Sequence, residues 1–142
     1  MAGAKNRRQE AAFKIPALHE RFLLRNGQQQ FVCKNVHITN DTGKIYKIPV
    51  AHGEGRYHAD ESILDELEAN GQVIFYYCDE KGKKTASANP NQAARNIAGI
   101  CNSNRNVFGM MPHPERACSP VLGNTDGREI LRTLLMAEQL VH

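Results

Sequence analysis

VFGMMPHPERA, residues 107–117, ends a short apolar run in a histidine that stands between two prolines. Each proline fixes its own φ and restricts the residue before it, so the segment is predicted to be stiff and extended. Because residues two apart project to one side of an extended chain, the carboxylate of Glu115 can reach one imidazole nitrogen of His113. The other nitrogen is then left as a general base. Spacing alone also allows a solvent-exposed loop in which Glu115 pairs with Arg116 or a lysine.

The segments around this stretch alternate between strand and helix patterns. Predicted strands are rich in β-branched and aromatic residues and cover 31–39, 45–51 and 72–78, with a hairpin formed by 96–102 and 106–112. Predicted helices are amphipathic and cover 60–71 and 126–141. This order predicts an α/β layered fold with a mixed sheet, in which the terminal hairpin supplies antiparallel strands.

Both predicted helices carry signals for their ends and for their buried faces. In the first helix Asp60 is the expected N-cap, Gly71 ends the helix, and the buried face is Ile63, Leu64 and Leu67. In the second helix the residues expected toward the core are Ile130, Leu131, Leu134, Leu135 and Leu140.

Composition excludes several classes of function. The chain of 142 residues has a net charge of +3, much of it in residues 4–14, and no basic stripe continues after them, so no nucleic-acid partner is expected. It has no apolar run long enough to cross a bilayer, and none of its four cysteines forms a CxxC pair. These features predict a cytoplasmic protein with reduced thiols, no metal site and no membrane partner.

Four segments, in order along the chain, resemble the class I glutamine amidotransferases, and most closely the glutaminase subunits of phosphoribosylformylglycinamidine synthase. The matching segments are FVCKNV (31–36), IPVAHGEGRY (48–57), NPNQAARNIAGICNSNRNVFGMMPHPERA (89–117) and LGNTDG (122–127). The resemblance covers residues 24–142, as the C-terminal part of an amidotransferase domain. Residues 1–23 form a segment that does not match it.

The resemblance implies a flavodoxin-like layered α/β fold and a role in de novo purine biosynthesis. Such an enzyme hydrolyses glutamine through a cysteine thioester and passes ammonia to a synthetase subunit, which works with a small accessory subunit. His113 is then the catalytic base and Glu115 orients it. No cofactor is expected on this chain, because ATP and Mg belong to the synthetase partner.

The same resemblance places the loop His52-Gly53-Glu54-Gly55 where related enzymes hold the amino-acid end of glutamine. Its two glycines would let backbone N–H groups come close to the substrate carboxylate. The alternative is a tight surface turn, in which His52 serves packing rather than catalysis.

The nucleophile of the family is a cysteine on a sharp strand-to-helix turn, with a glycine on either side. It precedes the strand that residues 31–36 resemble, and residues 1–30 contain no cysteine. GICNS around Cys101 starts like such a turn, but Ser103 replaces the second glycine and a hairpin follows. The other cysteines lie in a strand, at a strand end and in a loop: Cys33, Cys78 and Cys118. Cys118 is expected to be the most exposed.

We therefore expect no nucleophile in this chain, which looks truncated, with the N-terminal half of the domain missing. It should be inactive alone. The alternative is a non-catalytic amidotransferase-like module that binds a partner. The survival of both AHGEGRY (51–57) and HPE (113–115) favours the enzyme fragment, because a scaffold without catalysis has no chemical need for either.

Overall fold

The computed structural model describes residues 23–139 of the chain. These residues form seven strands and two α-helices, which we number in chain order. The elements are β1 (Leu23–Leu24), β2 (Val32–Thr39), β3 (Ile45–His52), β4 (Arg56–Tyr57), α1 (Glu61–Ala69), β5 (Val73–Cys78), β6 (Ile97–Cys101), β7 (Phe108–Met110) and α2 (Asp126–Gln139). Every strand and helix predicted above is present, with shifts of one or two residues at most ends.

Five of the strands form one sheet in the order β3-β2-β5-β6-β7, and β1 pairs separately with β4. The β2–β3 hairpin runs in continuous register from Thr39↔Ile45 to Val32↔His52. Its turn closes because Asn40 accepts a hydrogen bond from the Thr42 N–H and Gly43 adopts a positive φ of 77°.

The α/β class is confirmed, but the mixed character predicted for the sheet is not seen. Every strand pair within residues 23–139 is antiparallel. The physical reason is connectivity, since β2–β3 and β6–β7 are hairpins and a parallel pair requires a longer crossover. Helix α1 does lead from β4 into β5, yet β5 lies antiparallel to both of its neighbours in the sheet.

The core lies between the sheet and the buried faces of the two helices. Helix α1 buries Leu64 and Leu67 as predicted, and each contributes about 1.5–3 kcal/mol relative to an exposed position. Asp60 stands at the N-cap, but its side chain makes no capping hydrogen bond. Its carbonyl accepts from the Ile63 and Leu64 N–H groups instead, so this predicted capping role is corrected.

Helix α2 matches its predicted buried face only at its start. Ile130 is buried and Leu131 half-buried, whereas Leu134 is exposed, which corrects the prediction for that residue. Helix α2 packs on β3 and on the turn formed by Pro114–Ala117. Bonds and close contacts to these elements come from Asp126, Gly127 and Glu129, and Leu134 follows them by more than one turn. The side chain of Leu135, and Leu140 altogether, lie outside what the structure describes, as does the segment 1–22.

The edge of the sheet at β3 is covered by the chain that leads into α2. The Pro49 carbonyl accepts from the His113 N–H at 2.9 Å, and the Lys47 N–H donates to the Asp126 carboxylate at 2.8 Å. A proline is tolerated at this point because its missing N–H falls on an edge strand. These hydrogen bonds place the predicted catalytic segment, which contains His113, directly beside β3.

Candidate active site

His113 and Glu115 are in direct contact. The distance between His113 Nδ1 and Glu115 Oε1 is 2.7 Å, and the two side chains are 30% and 58% exposed. A neutral imidazole that donates from Nδ1 carries its lone pair on Nε2, which is the position of a general base. Of the two arrangements that the spacing allowed, the structure therefore has the one in which the carboxylate orients the imidazole.

The backbone that brings these side chains together differs from the extended segment we predicted. His113 has φ −102° and ψ 87°, and Pro114–Ala117 forms a 3-10 turn after it. Proline at the first position of a turn is favourable because its fixed φ suits helical geometry and no N–H is needed there. The chain thus turns at Pro114, and the turn brings Glu115 back to the imidazole.

The turn is held from two sides. On one side the backbone of His113 is bonded to β3, as described above. On the other side α2 packs so closely that a Cβ added to Gly127 would lie 2.1 Å from the Pro114 carbonyl oxygen. The Cys118 thiol also donates to the Glu115 carbonyl at 3.0 Å. The His–Glu pair is therefore carried by a backbone that neighbouring elements hold in place.

None of the four cysteines follows a strand and opens a helix. Cys101 is buried within β6. Cys78 is buried at the end of β5, and this burial raises the pKa of its thiol to about 11. Cys33 is exposed on β2 and Cys118 is half-buried, which reverses the exposure that we expected. The expectation that the nucleophile comes from elsewhere stays a prediction.

The predicted substrate loop at residues 52–55 is organised by three buried polar side chains. Asn26, His52 and Asn91 are 1%, 7% and 0% exposed. His52 Nδ1 lies 3.0 Å from Asn26 Oδ1, and His52 Nε2 lies 3.3 Å from Asn91 Nδ2. Sequence analysis missed both asparagines, because Asn-Gly at 26–27 and the asparagine-rich segment at 89–96 have the composition of ordinary turns.

The partners of these asparagines determine the tautomer of His52. Asn26 donates through Nδ2 to the Gln30 and His52 carbonyls, so its oxygen faces the imidazole and Nδ1 must donate. Asn91 uses Nδ2 to bond the Gly55 carbonyl as well, so Nε2 must accept. Burial, with a smaller contribution from His113, lowers the pKa of His52 below its ordinary value of 6.5. His52 is thus neutral at neutral pH and is fully engaged within the protein.

The two glycines of the loop have different roles. The Gly55 N–H donates to Asn26 Oδ1 at 3.3 Å, so in this geometry it is not directed at a substrate carboxylate as we predicted. Gly53 and Glu54 lie on the open side instead, where they line a groove of about 220 Å³ with Arg25 and Phe31. Gly53 and Glu54 are therefore the residues of this loop that are candidates for contact with a substrate.

Replacing Gly55 by alanine is expected to destabilise the protein by about 1–3 kcal/mol, because the new Cβ would lie 2.6 Å from the buried His52 ring. The ring has no room to move, since two hydrogen bonds fix it. Gly53→Ala is the matched control, because its Cβ would meet only Phe31 at an ordinary 3.7 Å. Urea unfolding of both variants measures the difference, and equal stability would contradict the packing role of Gly55.

Several known proteins are similar to this chain over most of its length. A sequence profile of the CobB/CobQ-like glutamine amidotransferase domain matches residues 4–134. Similar proteins include phosphoribosylformylglycinamidine synthase subunit PurQ of Gloeobacter violaceus, 46% identical over 124 residues, covering 80% of this chain and 53% of the relative. The same subunit of Methanosarcina mazei is 52% identical over 92 residues, covering 65% of this chain and 40% of the relative.

A solved structure of PurLQS from Thermotoga maritima is also similar, with a TM-score of 0.61 and 32% identity. The match covers 81% of this chain and 51% of that one. The chain thus spans about half the length of the curated relatives that it matches. The profile match begins within the segment 1–23, most of which lies outside the described residues, so the division at residue 23 stays a prediction. Together the profile and the structural likeness confirm the resemblance inferred from the motifs: this chain belongs to the CobB/CobQ-like glutamine amidotransferase domain family.

Proposed function

We propose that this chain supplies the His–Glu part of the glutaminase site of phosphoribosylformylglycinamidine synthase, which hydrolyses glutamine to provide ammonia for purine biosynthesis. The contact of 2.7 Å between His113 Nδ1 and Glu115 Oε1 carries this proposal. An imidazole oriented in this way can take a proton from a thiol and return it to a leaving amine. The relatives named above bear the name of that enzyme, which supports the same assignment.

The proposed reaction needs a thiol that none of the four cysteines here is placed to supply. The thiol would give its proton to His113 Nε2 as its sulfur attacks the side-chain amide carbon of glutamine. The imidazolium, stabilised by Glu115, then protonates the nitrogen of the tetrahedral intermediate, whose C–N bond breaks to release ammonia and leave a thioester. Water attacks the thioester with His113 as the base, and this step releases glutamate and restores the thiol.

The partner in this proposal is the ATP-dependent synthetase subunit, with the small accessory subunit. ATP and Mg would bind to the synthetase, and this chain would contribute glutamine hydrolysis alone. In the described part of the chain, no helix is long and apolar enough to span a bilayer. We place the complex in the cytoplasm because the cysteines carry no disulfide pattern, and the location stays a prediction.

The proposal is tested by measuring ammonia release from this chain, first alone and then with an added polypeptide that carries the cysteine on its strand-to-helix turn. We expect no release by this chain alone and release on complementation, because the oriented base needs a thiol to form the thioester. If this chain alone released ammonia and Cys101→Ala abolished that release, Cys101 would be the nucleophile, which would contradict our proposal that the thiol comes from outside this chain.

A second candidate function is a non-catalytic module that binds the synthetase subunit. The observation that favours it is the setting of the four cysteines, none of which lies on a strand-to-helix turn. Binding to the synthetase without ammonia release, even after complementation, would support the module and contradict the glutaminase.

A further inference from the structure

The catalytic segment lies on the edge of β3 with little backbone hydrogen bonding. Among the described residues, one bond joins the backbone of 112–114 to this edge, from the His113 N–H to the Pro49 carbonyl at 2.9 Å. The reason is chemical, since Pro49, Pro112 and Pro114 have no N–H to donate. A single bond does not fix the place of the segment along the strand, because the backbone groups of every second residue face the same edge.

Two side chains bond the backbone of Lys47, which faces the same edge two residues before Pro49. The Lys47 N–H donates to the Asp126 carboxylate at 2.8 Å, and the Lys47 carbonyl accepts from Asn124 Nδ2 at 2.6 Å. Asn124 Oδ1 also accepts from the Asp126 N–H at 3.0 Å, where α2 begins. These bonds satisfy both backbone groups of Lys47 as an added antiparallel strand would. We call Asn124, Asp126 and the Lys47 backbone the Lys47 clamp.

The clamp opposes a shift of the catalytic segment along β3. After a shift of two residues toward the start of the strand, the His113 N–H would meet the Lys47 carbonyl instead of the Pro49 carbonyl. These two acceptors lie about 7 Å apart along the strand. Asn124 already stands at the Lys47 carbonyl, so the place beside Pro49 is the favoured one.

The clamp also holds α2 against the catalytic turn. Asp126 is the first residue of α2, and Gly127, which follows it, packs on the Pro114 carbonyl oxygen as described above. Because β3 and α2 enclose the turn from two sides, the distance between them determines where His113 and Glu115 lie. The bonds between Asp126 and β3 therefore act on the position of the catalytic pair.

We propose that Asn124 and Asp126 are positioning residues, whose bonds to the Lys47 backbone fix His113 in the place from which it acts as the base. The inference rests on the proposed function and assigns a task to two side chains outside the His–Glu pair. Since both act through the backbone of β3, loss of the clamp slows the chemical step and leaves glutamine binding unchanged.

The test uses substitutions that each remove one part of the clamp from the full chain. Asp126→Ala removes the acceptor, whereas Asp126→Asn keeps an acceptor oxygen in the same place. Asn124→Asp keeps the oxygen that bonds the Asp126 N–H and loses the donor to the Lys47 carbonyl. Lys47→Pro removes the N–H, which an edge strand tolerates. Lys47→Ala is matched to it, because it loses the same exposed side chain and keeps the N–H. Asp41→Ala, at an exposed aspartate in the β2–β3 turn, is the control.

Two measurements are made on each variant. Hydrogen exchange of the His113 amide in the chain alone reports on the bond to Pro49, and the kcat and KM for glutamine are measured after complementation. In Asp126→Ala, Asn124→Asp and Lys47→Pro we expect exchange to rise about fivefold and kcat to fall about fivefold, with KM within about twofold of the wild-type value. Asp126→Asn, Lys47→Ala and Asp41→Ala should stay within about twofold in both measurements, because the clamp bonds remain.

A double variant tests whether Asp126 and Lys47 act through one bond. Asp126→Ala combined with Lys47→Pro should be no more impaired than either single variant, because both substitutions remove the same hydrogen bond. Effects that multiply in the double variant would show that the two residues act separately, and the clamp would be wrong.

Several other results would overturn the inference. Unchanged His113 exchange in both Asp126→Ala and Asn124→Asp would show that the clamp does not hold the segment. Faster exchange with an unchanged kcat would show that catalysis does not depend on that position. A rise in KM alone would assign the clamp to glutamine binding. If Asp126→Ala does not fold, Asn124→Asp and Lys47→Pro decide the same question.

Failure of the proposed function gives a different pattern. In that case the complemented wild-type protein releases no ammonia, while His113 exchange still rises in Asp126→Ala and Asn124→Asp. That result would retain the clamp as the anchor of the segment and would overturn its role in glutamine hydrolysis.

Discussion

Replacing His113 by asparagine is expected to lower ammonia release by the complemented enzyme at least about 100-fold at saturating glutamine. General acid–base catalysis contributes about 100- to 10,000-fold, and asparagine supplies neither the base nor the acid that His113 provides. The side chain is 30% exposed, so the variant also loses packing, and its melting temperature separates that loss from the loss of catalysis. The measurement is the rate of ammonia release, with the melting temperature of the variant recorded alongside.

Two variants serve as controls for this result. Glu115→Gln keeps an acceptor for the His113 Nδ1–H but loses the charge that stabilises the imidazolium, so we expect an intermediate loss of about tenfold. His58→Asn makes the same substitution at an exposed histidine outside the site and should leave the rate unchanged. If His113→Asn kept more than a tenth of the wild-type rate, His113 would not be the base.

Gly127→Ala is expected to destabilise the protein by about 1–3 kcal/mol or more and to abolish ammonia release. Its Cβ would lie 2.1 Å, 2.7 Å and 2.8 Å from backbone atoms of Pro114. Alanine raises helix propensity by at most about 1 kcal/mol, and a clash with backbone outweighs that gain. Because α2 and the Pro114–Ala117 turn would have to separate, Glu115 would move away from His113.

Gly109→Ala is the control for this substitution, since a Cβ there meets no atom within 4 Å. Thermal unfolding of both variants gives the stability, and complemented ammonia release gives the activity. A Gly127→Ala protein as stable and as active as Gly109→Ala would contradict the close packing of α2 on the catalytic turn.

Much of the fold follows from local sequence patterns. The runs VIFYYC and IYKIPVA predicted β5 and β3, because β-branched and aromatic side chains fit a pleated, half-buried surface. The apolar spacing of Leu64 and Leu67 predicted the buried face of α1. The His113–Glu115 contact was predicted as well, but for an extended segment, whereas the structure forms it through the turn that begins at Pro114.

The same sequence could not separate Gly53 from Gly55, or show that Asn26 and Asn91 are buried. Two glycines that flank one glutamate look equivalent in a motif, and asparagines in loops are usually solvated. Only the meeting of three distant segments, at Asn26, His52 and Asn91, places one glycine against the His52 ring and leaves the other beside an open groove. Burial of these side chains is a property of packing and has no local signature.

What the sequence by itself determined was the family and the order of strands and helices, and it allowed the pairing of His113 with Glu115 without deciding it. Those features depend on residues close together, whose conformational preferences act over a few positions. The tertiary structure alone decided that the sheet of residues 23–139 is antiparallel throughout, that Pro114 opens a turn, and that His52 is a neutral, buried anchor. Each of these depends on which distant backbone and side-chain groups remain to satisfy hydrogen bonds once the core has formed.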